Sequence, residues 1–136
     1  MRVLMIYADL FSYTPVIKTL DDADKDALPA SIEKAVIGFI HAEAEDEEKL
    51  SAVETKLVKN LKWAARKNDT KKIVLHSFAH LSGSKADPGI TKDLLNRAEE
   101  RLKTSGYETF QTPFGFFLDL KVDAPGHPLA RLFKEF

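Results

Sequence analysis

Hydrophobic and polar positions along this chain repeat with two different periods. Residues 2–8 form a continuous apolar run of the kind that fills a central strand, and residues 11–19 and 31–42 are also strand-like. Pro15 belongs at an edge or a bulge of its strand, because proline has no N–H to donate to a neighbour. The acidic stretch 20–30 shows no period and predicts an exposed connection.

From Asp46 onward the apolar positions recur every three or four residues, which predicts a helix with one buried face. Residues 72–78, KIVLHSF, predict a strand, and a second helix begins near Pro88 and ends at Ser105 and Gly106. The buried stripes of the two helices are Leu50, Val53, Leu57, Leu61 and Ala64 in the first, and Ile90, Leu94, Leu95, Ala98 and Leu102 in the second.

The last third of the chain predicts two strands, 107–112 and 114–122, separated by Pro113. The tail, APGHPLARLFKEF, predicts a turn and then a short helical piece with Leu129, Leu132 and Phe133. The expected order is therefore β-β-β-α-β-α-β-β-α. It indicates an α/β (α+β) fold in one domain over residues 1–136, which we expect to belong to a longer chain or to act in trans.

The composition limits which reactive groups and metal sites the chain can contain. With 44% hydrophobic residues the chain can build one core, and the absence of cysteine excludes disulfides, a thiolate nucleophile and sulfur-ligated zinc. This cysteine usage is compatible with a reducing cytosol, so a cytoplasmic location is expected. The apolar start is too short for a secretory signal or a membrane span.

The net charge of −1 hides an asymmetry. Residues 1–55 carry twelve acidic and five basic side chains, whereas residues 56–72 carry seven basic ones and only Asp69. Five of these cations lie on the first predicted helix: Lys56, Lys59, Lys62, Arg66 and Lys67. They form either an ordinary solvated face or a surface that contacts the phosphates of a nucleic acid.

The stretch HSFAHLSGSKADP, residues 76–88, joins a strand to a helix, a position where α/β proteins bind ligands. His80, Ser82 and Asp87 are the residue types of a catalytic triad, but no nucleophile-elbow pattern surrounds them. His76 and His80 have a spacing that suits a metal only on a helix. The remaining interpretation is structural, with His76 in the core and His80 capping the loop.

Several motifs together resemble the amino-terminal editing domain of archaeal threonyl-tRNA synthetase, which shares the fold of D-aminoacyl-tRNA deacylases. They are MRVLMIYAD at the start, FAHLS at 78–82, DLLNRAEERLKTSGY at 93–107, PFGFF at 113–117 and GHPLA at 126–130. The resemblance covers nearly the whole chain. It implies a mixed, largely antiparallel twisted sheet flanked by two main helices.

The resemblance also implies an activity, the hydrolysis of serine wrongly esterified to the threonine tRNA. Lost apolar contact with a missing methyl group discriminates by only about 1–3 kcal/mol, so a second site must destroy the error. Such a site positions a water molecule and stabilises the oxyanion with backbone N–H groups, while the 2′-hydroxyl of the terminal ribose assists the water. No cofactor and no metal are expected.

Carried over by position, the main chain of Ser77, Phe78 and Ala79 would hold the seryl group, and Ala42 would close the pocket. His80 would orient the loop or touch the substrate. Phe116 and Phe117 would lie against the terminal adenine, for about 1–3 kcal/mol each. His127, held between a glycine and a proline, is a further candidate for substrate binding, although a structural hydrogen bond would explain it equally well.

One departure concerns the lysine that relatives place at the catalytic centre, because Leu118 occupies that position here. Lys18 or Lys121 would then supply an amino group from another direction, with Lys18 favoured, or the backbone and the RNA suffice. The expected partners are the 3′ end of tRNA(Thr), the catalytic part of the synthetase in cis or in trans, and a second copy of the chain. No membrane partner is expected.

Three rival functions remain open from the residues alone. A D-aminoacyl-tRNA deacylase would use the same fold with chirality as its criterion. A non-catalytic amino-acid-binding domain would hold free serine and leave the ester intact. An RNA-binding module without chemistry would need only the basic helix.

Overall fold

Six strands and two helices make up the protein in the computed structural model, which describes all residues from 1 to 136. The strands are β1 (Arg2–Lys18), β2 (Ala30–His41), β3 (Lys72–Ser77), β4 (Glu108–Gln111), β5 (Phe116–Asp123) and β6 (Arg131–Glu135). The helices are α1 (Leu50–Lys67) and α2 (Pro88–Thr104), and short 3-10 turns span Ala44–Glu48 and Pro128–Ala130. Neither helix is long and apolar enough to cross a membrane.

All six strands belong to one sheet, in the order β4-β3-β2-β1-β5, with β6 also paired to β1. β1 runs antiparallel to β2, β5 and β6, whereas β2, β3 and β4 are parallel to one another. The parallel strands require crossovers, and α1 and α2 supply them. The predicted mixed sheet with two flanking helices is therefore confirmed.

The prediction of two separate strands over residues 2–8 and 11–19 is wrong, because β1 runs unbroken through both. Its first part pairs with β2 from Arg2 to Tyr13, and its second part pairs with β5 from Leu10 to Lys18. Because residues 10–13 pair with both strands, β1 has a hydrogen-bonding partner along its whole length. The register shifts between Pro15 and Ile17, which confirms that Pro15 belongs at a bulge.

Two element boundaries also differ from the prediction. The helical piece expected in the tail is only the 3-10 turn, and Leu132 and Phe133 lie instead in β6 beside the first residues of β1. This pairing satisfies backbone groups that would otherwise form an open edge. The first helix begins at Leu50 and not at Asp46, whose buried carboxylate accepts the Glu43 N–H at 2.8 Å in the preceding turn.

The two faces of the sheet carry separate apolar clusters. The larger cluster lies between the sheet and the two helices and includes the fully buried Met5, Leu61 and Leu94. The smaller cluster lies on the opposite face, where the sheet curls and Leu118 of β5 packs against Phe39 and its neighbours. The outer edge of β5 pairs with no strand of this chain, and the homodimer stays a prediction.

A carboxylate joins the two helices. Glu54 of α1 accepts hydrogen bonds from Arg97 Nε at 2.6 Å and Arg101 Nη1 at 3.0 Å, both on α2. Burial acts to raise the pKa of Glu54, but the hydrogen bonds and charges of the two arginines outweigh it and lower the pKa below its ordinary 4.5. The ionised form of Glu54 is therefore favoured by folding.

Replacing Glu54 with glutamine should lower the free energy of unfolding by about 1–2 kcal/mol at pH 7, since the arginine partners are partly exposed. A lowered folded-state pKa contributes stability that is complete above the ordinary value and is lost as the pH falls through the folded value. Urea unfolding at pH 7 and pH 3 should therefore show a smaller difference between parent and variant in acid.

Glu135→Gln is the matched control, because Glu135 forms an exposed pair with Arg2 at 3.7 Å. Its effect should stay within about 0.5 kcal/mol. A deficit for Glu54→Gln that is the same at both pH values would contradict the assigned role of the charge.

Candidate functional site

A cavity of about 390 Å³ opens where the parallel strands end. β2, β3 and β4 finish at the same edge of the sheet, as parallel strands must, and ligand sites in α/β proteins form at such edges. Its walls come from the ends of these strands, the start of α2 and the start of β5. They include Ile40, Ala42, Ser77–His80, Lys85, Ala86, Pro88, Thr91, Pro113–Leu118 and Leu120, together with Thr19 and Leu20 beyond β1.

The chain leaves β3 through a tight turn that exposes one backbone donor. The Phe78 N–H donates to the Ile40 carbonyl at 2.9 Å, and the His80 N–H donates back to the Phe78 carbonyl at 3.0 Å. The N–H of Ala79 between them makes no hydrogen bond within the protein. Because Ala79 lines the cavity, this unpaired N–H is a candidate donor to a bound molecule.

Four aromatic rings form a row from the sheet to the mouth of the cavity. Phe39 meets His76 edge to face at 5.2 Å between ring centres and meets Phe78 at the same distance. Phe78 in turn meets the exposed ring of His80 at 4.9 Å. Edge-to-face contacts of this kind hold each ring in one orientation, so the cavity has a preformed aromatic wall.

His76 is the buried member of this row, with 6% of its surface exposed. Its Nδ1 lies 2.8 Å from the Thr112 hydroxyl oxygen. Burial, and secondarily the nearby charge of His80, lowers the pKa of His76 to about 4. The imidazole is therefore neutral near pH 7, with one ring nitrogen as donor and the other as acceptor.

The loop after the turn is tied to β2 by a second, fully buried histidine. His41 Nδ1 accepts the Leu81 N–H at 2.9 Å, so Nε2 carries the proton and donates to the Ser84 carbonyl at 2.6 Å. Ser84 in turn accepts the Ala44 N–H through its hydroxyl at 2.9 Å. One side chain thus fixes both ends of the segment from residue 81 to residue 84.

Glu43 strengthens the same attachment. The Ser82 hydroxyl donates to Glu43 Oε2 at 2.7 Å, and this hydrogen bond lowers the pKa of Glu43. Arg2 holds the loop from the other side by donating to the Leu81 carbonyl at 2.8 Å. The Ser82 hydroxyl is therefore engaged with Glu43, which does not support a nucleophilic serine.

The far wall of the cavity depends on a glycine. Gly115 has φ +86°, and a Cβ there would lie 2.7 Å from the Ala23 Cβ. The segment is clamped by Asp24, which accepts the Phe114 N–H at 2.8 Å, and by the Thr19 N–H, which donates to the Gly115 carbonyl at 2.8 Å. The acidic connection expected to be merely exposed thus builds one side of the site.

Seven of the ten predicted site residues line this cavity. They are Ala42, Ser77, Phe78, Ala79, His80, Phe116 and Phe117. The structure does not bring Lys18, Lys121 or His127 into it. Lys18 and Lys121 are exposed on β1 and β5, and the chain alternates so that Lys121 faces away from Leu118 and Leu120.

His127 lies near the opposite end of the sheet. Two residues after it, the Leu129 carbonyl accepts a hydrogen bond from Asn68 at the carboxyl end of α1, at 2.8 Å. The lysine that does line the cavity is Lys85, in the loop that FAHLS begins. Its place in that loop is the one sequence signal that points to the cavity, and it is weaker than the motif itself.

Neither the triad nor the metal interpretation finds support in the geometry. Asp87 Oδ1 accepts the N–H groups of Gly89 and Ile90, so it caps α2 and does not orient His80. No carboxylate lines the cavity. The chain has no group of three histidine, aspartate or glutamate side chains placed to hold a metal ion.

Replacing His41 with leucine should free the loop without exposing the core, because leucine fills much of the same space but accepts no hydrogen bond. Loss of the Nδ1 acceptor should raise the hydrogen-exchange rate of the Leu81 amide about tenfold. Amide exchange by NMR tests this, with the Tyr107 amide, bonded to the Leu102 carbonyl at 3.0 Å, as the internal control. Equal acceleration of both amides would mean global destabilisation and would contradict a local tether.

Comparison of the chain with known proteins agrees with this architecture. Threonine–tRNA ligase from Methanococcus aeolicus is 32% identical over 97% of this chain, and that from Thermococcus gammatolerans is 34% identical over 97%. The chain spans only about a fifth of the length of these curated relatives, 21% and 22%.

Among solved structures, the c-Myc DNA unwinding element binding protein superposes with a TM-score of 0.66, covering 100% of this chain and 99% of its own. At 16% identity this likeness shows the fold alone, and it supports the fold class expected from the sequence. The model of the Archaea-specific editing domain of threonyl-tRNA synthetase matches residues 1–136 in full. With this match across its whole length, the chain belongs to the family of archaeal threonyl-tRNA synthetase editing domains.

Proposed function

We propose that this domain proofreads threonyl-tRNA synthesis by hydrolysing L-seryl-tRNA(Thr), releasing serine and free tRNA. The observation that carries the proposal is the cavity of about 390 Å³ with an unpaired backbone donor at Ala79 and no carboxylate in its walls. An aminoacyl ester is already reactive, so a site of this kind needs to orient the ester more than to activate a nucleophile.

In the proposed reaction, water attacks the ester carbonyl carbon and the bond to the ribose oxygen breaks. The Ala79 N–H donates to the carbonyl oxygen as negative charge develops there. The proton of the attacking water passes to the 2′-hydroxyl of the terminal ribose as it assists the attack, and onward to the departing 3′-oxygen. The weak basicity of His76, whose pKa is about 4, supports a mechanism in which the RNA supplies the assistance.

The terminal adenine would lie against Phe116 and Phe117. Phe117 is 55% exposed although it lines the cavity mouth, and an aromatic face in that position stacks on any base. The aminoacyl group would then reach inward between Ala42 and the turn at Ser77–Ala79. A pocket fitted to CH2OH misplaces the additional methyl of threonine, which gives the second sieve its selectivity.

The substrate preference is directly measurable. The purified chain should hydrolyse seryl-tRNA(Thr) faster than threonyl-tRNA(Thr) by 10-fold or more, about 1–3 kcal/mol for one methyl group. The same time courses on a tRNA ending in 2′-deoxyadenosine should show a large loss of turnover. Equal rates for the two esters would refute the proposal, and faster hydrolysis of D-seryl-tRNA would assign the chain to chirality-based deacylation.

This chain has Leu118 at the position where relatives have a lysine, and this difference gives a second prediction. We propose that Lys85, the lysine that lines the cavity, provides positive charge toward the phosphate of the terminal nucleotide. Lys85→Ala should lower kcat/KM for seryl-tRNA roughly fivefold, about 1 kcal/mol for an exposed ion pair, and Lys85→Arg should restore most of it.

Lys18→Ala and Lys121→Ala are the matched comparisons, since both side chains were candidates for the same charge. Their effects should be smaller than that of Lys85→Ala, and the difference should shrink at high salt, which screens an exposed pair. A larger loss of kcat/KM for Lys18→Ala or Lys121→Ala would mean that the amino group comes from β1 or β5. In that case the cavity would extend further along the sheet than its present walls indicate.

A further inference from the structure

One buried nitrogen in the cavity has no partner within the protein. Among the residues that line the cavity, only His76 and Thr91 are both polar and buried. The Thr91 hydroxyl donates to the Asp87 carbonyl at 3.1 Å and is therefore satisfied. His76 uses Nδ1 for Thr112, whereas its Nε2 makes no hydrogen bond to the protein.

This nitrogen opens into the cavity. Only Arg2 Nε and Asn68 Oδ1 are side-chain atoms both unpaired and sealed from solvent. Nε2 is unpaired but not sealed, and the rest of the ring is covered by Phe39, Phe78 and Thr112. Since His76 lines the cavity, the remaining access to Nε2 is through the cavity itself.

The direction of the imidazole is fixed by its surroundings. The Phe39 ring meets it edge to face at 5.2 Å, and the Phe78 ring lies 5.8 Å away. Thr112 is held in turn by its own N–H, which donates to the Leu75 carbonyl at 3.0 Å. A preoriented polar atom among apolar walls is the usual means by which small-molecule sites select one functional group.

The neutral imidazole also matches a hydroxyl chemically. The Thr112 hydroxyl can donate to Nδ1 or accept from it, which leaves Nε2 as donor or as acceptor respectively. An aliphatic hydroxyl is likewise both donor and acceptor. An amino acid with a methyl group in that place would displace water from Nε2 and leave it unpaired, at a cost of about 1–3 kcal/mol.

We infer that His76 Nε2 is the specificity-determining atom that binds the side-chain hydroxyl of the aminoacyl group. This inference rests on the proposed function and deepens it. Threonine carries the same hydroxyl, so its rejection depends on how the cavity walls misplace its extra methyl group. His76 instead separates hydroxyl amino acids from alanine, so that the site does not hydrolyse every small aminoacyl ester.

Two matched variants separate the nitrogens of the ring. His76→Asn keeps a polar atom near the position of Nδ1 for Thr112 and has none at Nε2, whereas His76→Gln extends a polar group toward Nε2. Each variant and the parent are assayed on one tRNA(Thr) esterified with L-serine or with L-alanine. Thermal unfolding of each protein establishes that the variants fold.

The parent should prefer the seryl ester over the alanyl ester by about tenfold in kcat/KM. His76→Asn should lose that preference by slowing on the seryl ester alone, and His76→Gln should recover part of it. A preference that survives His76→Asn, or a loss that is equal on both esters, would overturn the role of His76 and leave the proposed function standing. If the parent hydrolyses neither ester, the proposed function itself is refuted.

A measurement on the parent chain keeps the inference testable if the variants do not fold. With 15N-labelled histidine, the His76 Nε2 resonance should shift on addition of the non-hydrolysable amide of serine with 3′-amino-3′-deoxyadenosine. It should shift much less with the alanine amide, which has the same nucleoside. Equal shifts with the two amides would overturn the inference.

Discussion

The whole structure depends on the hydrogen bonding of one strand. β1 spans 17 residues and is the antiparallel partner of β2 on one side and of both β5 and β6 on the other. Its first part anchors the parallel strands whose ends form the cavity, and its second part carries β5 across the curled face to become the cavity's outer wall. If this strand ended at residue 9, β5 would have no ladder to join, so Leu118 and Leu120 could not pack against the cluster around Phe39 and the cavity would lose its wall at Phe116 and Phe117.

In the proposed reaction, the site built on this frame relies on backbone and shape more than on reactive side chains. Its walls contain no carboxylate and the chain has no cysteine, while the turn contains an unpaired N–H at Ala79. Such a donor keeps its position only if the turn is rigid. The rigidity comes from His41, Ser82 and Glu43, which bind the following loop without touching the cavity. In the proposed reaction, this stiffness outside the cavity would hold the Ala79 amide group as an oriented dipole inside it.

The sequence predicts the periodic parts of this fold well and the contact-dependent parts poorly. The helices and β3 follow from apolar spacing, because the residues of a buried stripe, such as Leu57 and Leu94, recur at regular intervals in the sequence. The continuity of β1 and the existence of β6 depend on which strand finds which partner, and no local pattern encodes that. The motif residues Ser77–His80 could be placed at the site by resemblance, but Lys85 and His41 could not, since their roles come from a loop folding back on β2.

The acidic connection after β1 has a consequence for the cavity wall that it supports. Asp24 accepts the Phe114 N–H at 2.8 Å, and Lys92 Nζ of α2 lies 3.9 Å from the same carboxylate and 5.6 Å from the centre of the Phe114 ring. Partly exposed pairs of this kind are weak and are screened by salt. The wall is thus braced against α2 from outside, so the shape of the opening is sensitive to a connection that contributes no carboxylate to its lining.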